Sequence, residues 1–245
     1  MFFAGCGIVS RQVRALGFTT REWELLKGGD CDLTRPAVLR PVRQMARRGQ
    51  ILSAFLAPPC GSFSLINRSV SRSKCDPWGL GPQESEKARA SVTVGNRCMK
   101  AAIQIIKWLE QEKVPWIMEH PLSSRAWYIP FFNTLLRKDH VVALDLDQCQ
   151  YGVPWRKSTR LICSRIDPCS FERLNKRCRK DEFGRCGRTH KFHIQLRGTH
   201  PSGVPWTSIA SPYPKCLARH IAFSLMEGHM LKCTPQKLCH SRNRH

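Results

Sequence analysis

The chain has 245 residues, with 40 Lys and Arg against 18 Asp and Glu for a net charge of +22. A chain of this length can bury roughly 70% of its unfolded surface around one main core, the charge points to a polyanionic partner, nucleic acid or an acidic membrane surface, and no run reaches the roughly 18 apolar residues of a membrane span. Thirteen cysteines, odd in number and irregularly spaced, are expected to be thiols in a reducing intracellular compartment, not a secreted disulfide framework; the opening MFFAGCGIV lacks a basic leader and a cleavage pattern, so no signal peptide is expected.

In chain order, MFFAGCG reads as a strand entering a glycine turn. A helix follows, with Val9, Val13 and Leu16 at i, i+4, i+7 and Gly17 at its end. FTTREW, rich in β-branched and aromatic residues, reads as a second strand, VLRPVRQMARRGQ as a basic surface helix interrupted by Pro41, and ILSAFLA as a buried strand. Residues 66–95 read as a polar loop. CMKAAIQIIKWLEQEK is an amphipathic helix, VPWIMEHP a strand that stops at proline, and HVVALDLDQCQYGVP a strand and turn. From Trp155 to Arg197 the chain carries 13 Lys and Arg against 4 Asp and Glu, with Phe171, Phe183 and Phe192 interspersed. KCLARHIAFSLMEGH reads as a closing helix and TPQKLCHSRNRH as a frayed tail. Alternating strands and helices predict an α/β domain with a mostly parallel sheet and helices on both faces.

Several residues stand where chemistry could occur. Gly5 and Gly7, after a strand and before a helix, would let a ligand approach the helix N-terminus; Glu22 after the second strand could hold ribose hydroxyls, with Trp23 beside it as a stacking face. Cys60 follows two prolines at a strand end and opens a Gly/Ser loop, the placement of a nucleophile. Glu119 stands at the carboxyl end of an apolar run, where it could act as an acid or bind a base edge, and Arg156, Lys157 and Arg160 could meet phosphates. Each also has an ordinary reading: a tight turn, a surface strand end, a core thiol, a turn cap, a solvated charge run.

Taken in order, the motifs resemble the cytosine-specific DNA methyltransferases that act at carbon 5, across nearly the whole chain. FAGCG looks like their cofactor loop, EW their acidic residue with its adenine-stacking neighbour, APPCGSFS their Pro-Cys nucleophile motif and MEHP their Glu-Asn-Val motif. YGVPWRKSTR is similar to their Tyr-Gly-x-Pro segment with its basic residues, and SPYPKCLARHIA to their closing segment. There are departures: His120-Pro121 stands for Asn-Val, Lys157 and Thr159 for two arginines, and the segment between Arg160 and Ser211, where the family carries target recognition, is short.

The resemblance implies a Rossmann-like fold that uses S-adenosylmethionine on DNA, with RNA open as an alternative substrate. Cys60, Glu119 and Lys157 would be catalytic; Phe3, Gly5, Gly7, Glu22, Trp23 and Asp32 would contact cofactor; Ser64, Arg156, Lys157 and Arg160 would contact nucleic acid. The core is expected at 1–165 and 208–232, a basic Cys/His insertion at 166–207 and a basic tail at 233–245. Cys163, Cys169, Cys178, Cys186, His190 and His193 lack a paired C-x-x-C knuckle, so no metal is expected. No membrane association is expected, and in a eukaryotic host the nucleus would suit the charge. The rival reading is a nucleic-acid-binding protein that retains the fold without the chemistry.

Overall fold

The computed structural model describes residues 1–65, 67 and 70–233, without the side chains of 228–233; the expected tail beyond Cys233 lies outside the described residues. The protein is a mixed α/β structure. Helix α1 spans Ile8–Ala15 and starts from Gly7, whose φ of 68° is left-handed backbone that glycine adopts without a Cβ penalty. Its buried Val9 and Val13 follow the expected period. Helix α2, Pro36–Arg47, runs through Pro41. That residue lies on the solvent side, while Val42 and Ala46 hold the helix to the core, so the expected interruption does not occur.

Strand β1 is Ala54–Leu56, followed by the long helix α3, Glu86–Gln111. The expected helix is thus extended toward its N-terminus by just over three turns. Ser85 caps it by accepting from the Ala88 N–H, and the buried stripe Ala88, Val92, Gly95, Met99, Ala102, Ile106 and Leu109 keeps a three-to-four spacing. Strand β2 is Trp116–Pro121, helix α4 Pro130–Leu135, strand β3 Val141–Asp147 and strand β4 Ser158–Ser164. Short helices α5 (Cys169–Leu174) and α6 (Trp206–Ile209) precede α7, Lys215–Cys233.

The sheet has the order β1-β2-β4-β3. β1 pairs with β2 in parallel, while β4 pairs antiparallel with both β2 and β3. The four strands are therefore not the mostly parallel sheet expected, because β4 turns back from β3 as a hairpin and inserts beside β2. FTTREW forms no strand: Trp23 makes a single parallel bridge to Phe2, which bridges in parallel to Leu56. Strand propensity in FTTREW had no neighbour long enough to propagate a ladder.

Side chains alternate between two cores, one on each face. Ala54, Leu56, Trp116, Met118 and Ile162 meet α3 and α4 residues on one face, and Phe55, Ile117, Leu161 and Cys163 meet α1 and α7 on the other. At the sheet edge, the Asp145 and Asp147 N–H groups of β3 donate to Asn175 Oδ1 at 3.1 Å and to the Lys176 carbonyl at 2.9 Å.

One end of the sheet is closed by Glu110. Its carboxylate, 7% exposed, accepts from Trp116 Nε1, Ser164 Oγ, Arg165 and Lys138 at 2.7–3.0 Å, with His140 Nε2 at 2.8 Å. The opposite end, where β1 and β2 finish, is where a ligand of an open α/β sheet is expected.

Candidate active site

Cys60 lies four residues beyond β1, in a tight turn closed by the Phe63 N–H donating to the Cys60 carbonyl at 3.0 Å. The turn is fastened by Arg72. Its guanidinium lies 3.8 Å from the Phe63 ring centroid and donates to the Ser62 carbonyl and hydroxyl at 2.9 and 3.0 Å, the Pro77 carbonyl at 2.8 Å and Asn96 Oδ1 at 2.9 Å. The segment that read as polar loop therefore anchors the Cys60 turn to α3.

Cys60 opens into a cavity of about 730 Å³ that Ser64, Pro121, Lys157, Leu196 and Ser211 also line. Glu119, near the end of β2, is buried and accepts from Tyr213 Oη at 2.8 Å. Burial raises its pKa, with Lys157 and the Tyr213 hydroxyl opposing, so it holds a proton more readily than an ordinary carboxyl. Burial and the Glu119 charge push the Cys60 thiol up while Lys157 pulls it down. Lys157, tethered by donating to the Ala210 carbonyl at 2.9 Å, is thus the cation that favours the charged form of both. A thiol, a proton-holding carboxyl and an ammonium meet here from three distant segments.

Tyr213 belongs to SPYPKCLARHIA, but nothing in the sequence singled it out from its neighbours. Its hydroxyl pKa is raised well above the usual value by burial and by Glu119, so it remains a donor. His120 is fully buried, edge-on to Phe63 and Trp127 at 5.8 Å each. Burial lowers its pKa to about 3, against a nearby Pro59 carbonyl. It is therefore a neutral ring packed beneath the Cys60 turn, and Thr159 is buried beside it in the β2–β4 ladder.

The residues expected to hold cofactor are placed less simply. Phe3 takes left-handed backbone, φ 54°, as do Gly5 and Gly7. The Gly5 N–H donates to Glu24 Oε2 at 2.7 Å, a partner the sequence reading missed. A Cβ on Gly7 would stand 3.2 Å from Glu22 Oε1, so the glycine turn and the carboxylate share one cradle at the start of α1. Glu22 is paired with Arg14 and Lys27; burial would raise its pKa, but these two cations outweigh it and bring it down to about 2. Trp23 is a core residue, 5% exposed and stacked on Phe2 at 4.7 Å. It is not the open stacking face expected, because Phe2 needs that ring to extend the sheet. Asp32 accepts from the Thr34 N–H and hydroxyl at 2.9 and 2.7 Å and shapes a turn.

Of the expected phosphate contacts, Ser64 and Lys157 line the cavity. Arg160 is committed to Asp145 across the β3–β4 ladder in a two-pronged pair at 2.7 and 2.9 Å, a strand cross-link in place of the phosphate contact expected. Arg156 Nε lies 3.3 Å from Asp147 Oδ1.

A second cluster lies in the basic insertion. Cys149, Cys178, Cys186 and His193 bring one ligand-type atom each to within 4.8 Å of one another. The expectation of no metal set is thereby corrected in its premise: the fourth member, Cys149, comes from the turn after β3, outside the segment in which a knuckle was sought. Compared with protein-family models and with curated proteins, the chain matches none.

Proposed function

We propose that the protein transfers a methyl group to carbon 5 of cytosine in DNA, as a Rossmann-like S-adenosylmethionine-dependent methyltransferase. The observation that carries this reading is that Cys60 and Lys157 line one cavity and that the buried Glu119 lies close enough to both to interact electrostatically with each. The sheet supports it as well: β1, β2 and β3 point the same way, only β4 is reversed, and Phe2 and Trp23 add parallel bridges beyond β1. Helices cover both faces.

The target base would have to leave its stack to reach a cavity of this kind. Cys60, as thiolate, adds to carbon 6 of the ring. Glu119 gives its proton to nitrogen 3 and so offsets the electron density that the addition puts into the ring. Lys157 favours the thiolate, and the Tyr213 hydroxyl orients Glu119. Bound S-adenosylmethionine supplies the methyl group. Loss of the proton at carbon 5 to solvent then expels the Cys60 thiolate, and Glu119 recovers from nitrogen 3 the proton it gave. For the cofactor, Gly5 and Gly7 leave the start of α1 open to close approach, and Glu22 and Glu24 offer carboxylates for hydroxyl groups, Glu22 by exchanging Lys27. Trp23 contributes packing only.

The test is covalent capture on duplex DNA containing 5-fluorocytosine with S-adenosylmethionine, where fluorine blocks elimination. The parent chain is expected to form a stable adduct, and Cys60→Ala none. A second reading, a nucleic-acid-binding protein without methyl transfer, is favoured by the burial of Trp23 and the internal pairing of Glu22. Salt-sensitive DNA binding with no adduct, on DNA or on RNA, would establish that reading instead.

A further inference from the structure

The insertion between α5 and α6 has almost no core of its own. From residue 175 to 200 only Cys178 and Cys186 are buried, while Phe183 and Phe192 are 63% and 71% exposed. Its regular structure amounts to single bridges, Lys180 with Cys186 and Thr199 with Pro205. A segment that buries so little apolar surface does not offset its ordering entropy by packing, and small irregular units are ordinarily stapled by disulfide or metal.

The two buried cysteines are not a disulfide. Their Sγ atoms stand 3.7 Å apart, against a bond of about 2.05 Å. Cys178 Sγ is also 3.6 Å from His193 Nε2. For a tetrahedral zinc ion with Zn–S of about 2.3 Å and Zn–N of about 2.05 Å, the S···S and S···N edges come to about 3.8 and 3.6 Å. Both measured edges agree. The backbone is shaped to the same purpose: a Cβ on Gly187 would run into the Arg179 carbonyl, so only glycine lets the chain leaving Cys186 cross the chain leaving Cys178. The fourth corner, Cys149, sits on the 3-10 turn Gln148–Tyr151 that follows β3, where Arg188 Nε donates to its carbonyl at 2.7 Å.

We propose that Cys149, Cys178, Cys186 and His193 bind one zinc ion, a closed structural site of three thiolates and one imidazole. The complex carries a net charge of −1, in keeping with a segment rich in Lys and Arg. The metal ties the insertion to the β3–β4 connection. That connection leads directly to Lys157, and His193 lies three residues before Leu196 in the cavity wall, so the staple holds two sides of the Cys60 cavity together.

The test is metal analysis of the full chain produced in zinc-supplemented medium, followed by replacement of zinc with cobalt(II). One zinc per chain and the intense visible bands of tetrahedral cobalt thiolate are expected. Cys178→Ser and Cys186→Ser should each reduce bound zinc to background, whereas Cys75→Ser, at an exposed position away from the cluster, should keep the full equivalent. Because the serine variants could fail to fold, titration of the parent with a mercurial thiol reagent gives an independent reading: after exposed thiols such as Cys6, Cys75, Cys169 and Cys216 have reacted, one zinc should be released in step with three further thiols. A folded parent without zinc, a weak octahedral cobalt spectrum, or a full equivalent retained by the Cys178→Ser/Cys186→Ser chain would overturn the site.

Discussion

Gly95 is a buried position on α3 where helix propensity and tertiary contact disagree, and the disagreement can be measured. Replacing a helical glycine with alanine ordinarily stabilises by about 1 kcal/mol. Here the new Cβ would fall inside contact distance of Ser62 Oγ, 3.3 Å from Ser62 Cβ and 3.3 Å from Arg72 Nη2. Turning the Ser62 hydroxyl aside breaks its bond to the Arg72 guanidinium, and a bond to a charged group contributes about 1.5–3 kcal/mol. The balance for Gly95→Ala is a net destabilisation of about 0.5–2 kcal/mol. If the turn moves instead of the hydroxyl, Cys60 moves with it, and a displacement of about 1 Å can cost on the order of 100-fold in rate. Urea unfolding and the rate of 5-fluorocytosine adduct formation read the two effects separately. Adding Ser62→Ala should recover part of the loss, with a coupling above about 0.5 kcal/mol in the double-mutant cycle. A Gly95→Ala chain that gains the full propensity term and captures DNA at the parent rate would refute the account of how α3 holds the nucleophile turn.

Further expectations concern charge. Lys157→Met removes the cation that lowers the Cys60 thiol, so the acidic limb of the kcat/KM profile should move to higher pH; an unmoved limb would separate Lys157 from Cys60. Arg156→Ala should reduce the slope of log K against log salt for DNA binding by about one, and an unchanged slope would place Arg156 off the phosphates. Glu110 has its pKa lowered, because bonds from Ser164, His140, Lys138 and Trp116 outweigh its burial. Its contribution to stability is therefore present above the ordinary carboxyl value of 4.5 and lost as pH falls below it. Glu110→Ala should cost about 1.5–3 kcal/mol at neutral pH in urea unfolding, since Lys138 and His140 remain solvated when it is removed, and flatten the loss of stability in acid; a variant as stable as the parent would dissolve the clasp.

Elements with strong periodicity were legible in the sequence: α1 from Val9 and Val13, the apolar half of α3, and β2 ending at Pro121. The first turns of α3 were hidden because Ala88 and Gly95 carry its buried stripe, and small residues leave little hydropathy signal. Trp23 was misread because FTTREW has strand composition but only a one-residue partner in Phe2. Cys60 and Glu119 could be singled out as candidates because a proline-flanked thiol and a carboxylate at a strand end are local features. Tyr213 could not, since its role exists only through a contact 94 residues away. Three members of the cysteine cluster, Cys178, Cys186 and His193, were singled out, but Cys149 was not, for the same reason: it is separated from Cys178 by the whole of β4.

The edge of β3 has a consequence for the protein in concentrated solution. An unpaired strand edge is a template for addition of a strand from another molecule. Here Asn175 and Lys176 take the N–H groups of Asp145 and Asp147, only two residues before Cys178. Whatever secures Cys178 also keeps that guard in place, so release of the insertion would turn this sheet margin into a surface for self-association.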